Sequence, residues 1–204
     1  GQSAAPSGSY RMDELAGDVV GLLDALDIKR AVIGGHSMGG YLAFALWRLA
    51  PERIKGLALI NTRAAADTRA GRAGRYQNAA DALRDGVAAV VPRLAAKMYA
   101  PQAPAQQTAA LAERMARTPL DGLVGALLGM AERPDSTPLL PQIGVPCAVI
   151  AGAEDQIVPA AEAEAMAAAL PEAELSLIPG AGHMSMEERP EAVNAALLRL
   201  LARA

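Results

Sequence analysis

The chain has 204 residues, 52% of them hydrophobic and 20% charged, a balance that supports a sizeable buried core and excludes a disordered tail. Its net charge is -3 with Lys and Arg scattered, so it carries no basic face for nucleic acid or anionic lipid. No apolar run reaches the roughly 18 residues of a membrane span, and the opening GQSAAPSGSY lacks the parts of a signal peptide, which makes the cytosol the default location.

In chain order, residues 12 to 26, MDELAGDVVGLLDAL, place Leu15, Val19, Leu22 and Leu26 at helical spacing, with Asp13 and Glu14 in the first turn where they favour the helix dipole. KRAVIGG then reads as a short strand around Val32 and Ile33, ending in glycines. YLAFALWRLA follows as a helix stopped before Pro51. RIKGLALINT repeats the strand signal from Leu57 to Ile60. Between Thr62 and Pro146 that signal disappears, and alanine-rich helical stretches such as DALRDGVAAVV, TAALAERMAR and DGLVGALLGMAE replace it. VPCAVIAG restores the strand pattern around Ala148 to Ala151, AAEAEAMAAAL is helical, ELSLIPG is a strand from Leu175 to Ile178, and PEAVNAALLRLLA closes the chain as a helix with Pro190 in its first turn.

Short apolar strands alternating with helices point to an α/β fold, a mostly parallel sheet covered on both faces. The expected organisation is a core in two parts, residues 1–62 and 144–204, separated by a helical insertion over 63–143. The insertion would project from the end of the sheet where open α/β folds bind ligands, as a cap or lid; a packed subdomain away from the ligand is the alternative.

The one cysteine, Cys147, lies in an apolar run and reads as a buried thiol. The two histidines, His36 and His183, have no cysteine or HExxH company, so no metal and no cofactor is implied.

Gly35-His36-Ser37-Met38-Gly39 has the form G-x-S-x-G between a strand and a helix, where a sharp turn lifts the serine hydroxyl above the sheet. A serine hydroxyl is a weak nucleophile at neutral pH and needs a base and a group that orients the base. His183, in the glycine-rich PGAGHMSMEERP after the last strand, is the candidate base. AGAEDQIVP, after the third strand, offers Glu154 and Asp155 as the acid.

The stretches MDELAGDVVGLLDALDIKRAVIGGHSMGG, RIKGLALINT, IGVPCAVIAGAEDQIVP and IPGAGHMSMEERPEAVNAALLRLLA resemble the α/β-hydrolase superfamily, in its small esterase and 3-oxoadipate enol-lactonase-like branch. The order Ser37, Asp155, His183 is that superfamily's nucleophile, acid, base order. The resemblance selects Asp155 through the pattern G-x-x-D-x-x-x-P at Gly152, Asp155 and Pro159, leaving Glu154 as a surface neighbour. It places His36 at a variable position of the elbow, as a packing residue.

The resemblance implies a serine hydrolase that cleaves a carboxylic ester or lactone of a small substrate through an acyl-serine, with the Met38 N–H as one oxyanion donor. A cofactor-free haloperoxidase or perhydrolase, or a non-catalytic or vestigial hydrolase, are the alternatives. It also implies earlier strands and a second oxyanion donor before Gly1; GQS resembles the tail of the family's G-x-G-x-S stretch. Without them activity would be weak, and the strand ending at Gly34 would be an exposed edge prone to pair with a second copy of the chain or to aggregate. Arg63, after the second strand, is a candidate to bind a substrate carboxylate, with a surface role as the alternative. Met98, Met115, Met130 and Met184 are candidates to line an apolar pocket; core packing is the favoured reading for the first three, which leaves Met184 as the substrate-binding candidate.

Overall fold

The computed structural model describes residues 3–204. The opening glycine and glutamine of GQS lie outside the described residues. Four parallel strands, β1 (Ala31–His36), β2 (Ile54–Ile60), β3 (Cys147–Gly152) and β4 (Ala173–Ile178), form one sheet in the order β1-β2-β3-β4. Among the described residues β1 pairs with β2 alone.

Alternation along β2 divides the core in two. Leu57 and Leu59 join a cluster with α1 (Met12–Ala25), α2 (Met38–Leu49) and α7 (Ala160–Ala169), represented by Ala16, Phe44 and Met166. Ala58 and Ile60 face the other way, toward Val193, Ala196 and Leu200 of α9 (Pro190–Arg203). Continuous burial from Gly56 to Leu59, with side chains turned alternately to helices above and below, is what a parallel sheet covered on both faces requires.

Between β2 and β3 lie α3 (Arg69–Asp85), α4 (Val87–Ala95), α5 (Ala105–Met115) and α6 (Leu120–Glu132). Ala79, Ala82, Val90, Val124 and Leu127 give α3, α4 and α6 a small core of their own. The stretch DALRDGVAAVV spans two helices rather than one. Gly86, at φ +85°, ends α3 with its N–H on the Ala82 carbonyl and starts α4, a left-handed turn that glycine adopts without a Cβ penalty.

Strand ends also run past the expected bounds. β2 begins at Ile54, because Ile54 pairs with Ala31 and Gly56 with Val32 of β1, leaving Lys55 as the extra residue of a bulge between them. The loop after β4 contains a single helical turn, α8 (Ser185–Glu188), that glycine-rich flanks obscured.

A buried ion cluster ties the chain leaving β2 to the chain leaving α6. The Asp67 carboxylate accepts from Arg75 of α3 and, at 3.0 Å, from Arg133 just after α6; both Asp67 and Arg133 are buried. The Arg133 guanidinium also donates to the Ala65 and Met130 carbonyls and stacks 3.9 Å above the Tyr41 ring. Burial would push the Asp67 carboxyl up, but the bonds from Arg75 and Arg133 outweigh it and hold the group below its ordinary value.

Removing the carboxylate leaves a buried guanidinium without its counter-charge, so Asp67→Asn is expected to lower the unfolding free energy by about 3–5 kcal/mol at neutral pH in urea titrations. Because the folded-state value is depressed, this contribution is present above the unfolded carboxyl's range. The gap between wild type and variant should close as pH falls below about 4.

Candidate active site

Ser37 follows the last residue of β1 and precedes the first of α2. Its backbone sits at φ 52°, ψ −112°, in the left-handed half of the map that non-glycine residues rarely occupy. The turn is held from both sides: the Ser37 N–H donates to the Ile60 carbonyl at 2.9 Å, and the Thr62 hydroxyl donates to the Ser37 carbonyl at 2.8 Å. A Cβ on Gly35 would come within 2.2 Å of the Gly39 carbonyl oxygen, so strand and helix meet this closely only with glycine there.

His183, in the loop after β4, bridges Ser37 and Asp155. Its Nδ1 lies 2.8 Å from Asp155 Oδ2 and its Nε2 lies 2.9 Å from Ser37 Oγ. An ionised carboxylate only accepts, so Nδ1 carries the hydrogen, and in the neutral ring Nε2 accepts from the serine hydroxyl. The imidazole is 2% exposed, which keeps bulk water from competing for either bond.

Asp155 lies in the turn after β3 with both oxygens fully engaged. Oδ1 accepts the backbone N–H groups of Ile157 and Val158 at 2.8 and 2.9 Å, and Oδ2 accepts from His183 and from Asn61 Nδ2 at 2.9 Å. Burial raises the cost of its charge, and the donors more than offset this, leaving the carboxyl below its ordinary value. Glu154 is half-buried rather than a surface neighbour, because the turn tucks one of its carboxylate oxygens inside, where it has no hydrogen-bond partner among the described residues.

His36 packs its ring 4.9 Å from that of His183, and its Nε2 donates to the His183 carbonyl at 2.8 Å. Burial, above all, pushes the His36 imidazole below its ordinary value, outweighing the bond to the His183 carbonyl, which favours the charged ring. Met38 is the first residue of α2, so its N–H is one of those at a helix start with no intrahelical acceptor, on the positive end of the dipole.

A cavity of about 530 Å³ opens over Ser37 and His183. Its walls come from α3, α4, the end of α5, α6 and the chain just after α4, and are mostly apolar, with Leu94, Leu123, Leu127, Met98, Met115 and Met130 among them. Three of the four candidate methionines, Met98, Met115 and Met130, therefore line the cavity, and Met130 also packs against the core as read for it in the sequence.

Met184 does not line it. Its backbone N–H is tied to the Met98 carbonyl, and it stands beyond His183 at the start of α8. Arg63 does not line it either: its guanidinium turns to Asp67, four residues on, at 3.5 Å and to Glu162 at 3.9 Å, and these carboxylates hold it off the cavity wall.

The cations on the wall are instead Arg75, Arg93 and Lys97, with no carboxylate among the lining residues. Arg75 lies on α3 and Arg93 on α4, while Lys97 and Met98 lie just beyond the end of α4. Among the described residues no group of three His, Cys, Asp or Glu side chains is placed to hold a metal ion, and no helix is long and apolar enough to cross a membrane.

A family model described as the alpha/beta hydrolase fold matches residues 1–190. The 3-oxoadipate enol-lactonase 2 of Acinetobacter baylyi is 30% identical over 207 residues, covering 100% of this chain and 75% of that protein. Among solved structures, a thermophilic esterase from Thermogutta terrifontis with malate bound superposes with a TM-score of 0.94 at 35% identity, over 99% of this chain and 76% of that one. The enol-lactonase from Burkholderia xenovorans LB400 gives a TM-score of 0.88 at 29% identity, over 99% and 77%.

If the elbow depends on bare backbone at Gly35, adding one methyl must push strand and helix apart. Gly35→Ala is expected to cost about 1–3 kcal/mol of stability, read as a lowered Tm.

Proposed function

Because the chain belongs to the alpha/beta hydrolase family, in its enol-lactonase-like branch, we propose that it is a serine hydrolase of small carboxylic esters or lactones, with Ser37 as nucleophile, His183 as base and Asp155 as the acid that orients the base. The observation that supports this most is the unbroken chain of hydrogen bonds from Asp155 Oδ2 through both ring nitrogens of His183 to Ser37 Oγ.

His183 Nε2 takes the hydroxyl proton as Ser37 Oγ attacks the acyl carbon, and Asp155 stabilises the imidazolium that results. The oxyanion of the tetrahedral intermediate faces the Met38 N–H at the head of α2. When the intermediate collapses, the departing alkoxide takes the proton from His183 and an acyl-serine remains. Water, deprotonated in turn by His183, hydrolyses the acyl-serine and restores the serine.

Helices α3 to α6 act as the cap in this reading, since α3, α4, the end of α5 and α6 supply walls over Ser37. The apolar lining suits an aliphatic acyl body. Lys97, exposed on that wall, suits a carboxylate at the substrate's far end, as the adipate and malate named for the relatives carry.

A fluorophosphonate probe should label the wild type and leave Ser37→Ala unlabelled in gel fluorescence; equal labelling of the two would overturn the assignment. His183→Ala should lower kcat by about a thousand-fold or more. Lys97→Ala should raise KM about two- to five-fold for an ester bearing a free carboxylate and leave KM unchanged for its neutral counterpart.

A further inference from the structure

Asn61 is the first residue after β2, buried completely and held at φ 46°. Asparagine is among the few residues other than glycine that enter this left-handed region readily. All the hydrogen-bonding capacity that its amide directs inward is used on one feature. Its Nδ2 donates to Asp155 Oδ2 at 2.9 Å and to the Gly182 carbonyl at 3.1 Å, while its Oδ1 accepts from the Ser185 hydroxyl at 2.5 Å.

Gly182 precedes His183 and Ser185 lies two residues after it. The amide thus grips the acid by the same oxygen that meets the imidazole, and grips the base's loop on both sides of the base. Ser185 is itself buried and its hydroxyl donates to Oδ1, while the Asp155 carboxylate and the Gly182 carbonyl, which can only accept, hold the N–H end of the amide toward them.

We propose that Asn61 is a positioning residue for the reaction, setting the distance between Asp155 and His183 and spreading the charge of Asp155 over a second donor. The inference rests on the serine hydrolase reading given above. Asp155 remains anchored through Oδ1 by the N–H groups of Ile157 and Val158, so loss of Asn61 leaves the carboxylate in place. What changes is Oδ2, whose charge then falls on His183 alone and favours the imidazolium.

Asn61→Gly tests this with the least backbone disturbance, since glycine accepts the left-handed conformation. The expected result is a fall in kcat of about 10- to 100-fold with KM for a neutral ester little changed, together with an acid limb of kcat/KM displaced to higher pH. Ser185→Ala, which removes the donor that holds Oδ1 and loosens the amide's hold on the loop, should move both quantities in the same direction by less, and it decides the matter if the Asn61 variant does not fold.

A kcat within about two-fold of wild type overturns the inference. So does a loss of kcat with the acid limb unmoved, which marks a purely structural role. Wild type and Ser37→Ala assayed alongside separate the two layers: if both hydrolyse the ester equally, the serine hydrolase reading fails. If only wild type does, that reading stands whatever the Asn61 variant shows.

Discussion

Parallel register is the constraint from which the rest of the site descends. His36 faces Ile60, Ile60 faces Ile150, and Gly152 faces Ile178, so the four strands finish almost level at their carboxyl edge. The ladder continues one step beyond the strands: Ser37 N–H bonds Ile60 O, and Asn61 N–H bonds Ile150 O. Whatever follows each strand is delivered to the same place, which is why Ser37, Asn61, Asp155 and His183 converge although His183 lies 146 residues from Ser37 in the chain. Among the described residues, two of the three non-glycine residues with positive φ, Ser37 and Asn61, stand at adjacent strand ends, where the chain must turn sharply off the sheet.

The approach of backbone to backbone sets the remaining distances. A Cβ at Gly152 would lie 2.2 Å from the Gly182 carbonyl, so the turn that carries Asp155 and the loop that carries His183 touch directly. The loop is braced from the far side as well. Glu188 accepts from the N–H of Gly182 at 2.7 Å and from the N–H of Ala100 at 2.8 Å, joining the His183 loop to the chain between α4 and α5. Two buried carboxylates, Asp67 and Asp155, follow one rule. Each is costly to desolvate and each is surrounded by enough donors to remain charged, one against guanidiniums that hold the helical segment down and one against the imidazole.

Much of the architecture was legible from local rules. Alternating apolar strands and helices, proline and glycine at element ends, and a serine between glycines after a strand each reflect short-range sterics, and those are written in neighbouring residues. The residue types at Ser37, Asp155 and His183 could be singled out for the same reason, with help from a family pattern around Gly152 and Pro159. The break at Gly86 and the single turn of α8 were harder, because a glycine in a helical pattern or a short helix in a glycine-rich loop gives no periodic signal.

By itself the sequence determined the α/β class, the strand-to-helix turn at Ser37 and the short set of side chains able to do acyl chemistry. Tertiary structure alone decided which of them meet. It turned Arg63 onto Asp67 and Glu162, carried Met98, Met115 and Met130 to the cavity wall, left Met184 off it, and brought Asn61 and Ser185 together across 124 residues of chain. A hydrogen bond or a cavity wall needs atoms within a few ångströms of one another, and for residues so far apart along the chain that proximity is created only when the strands pair and the helices pack.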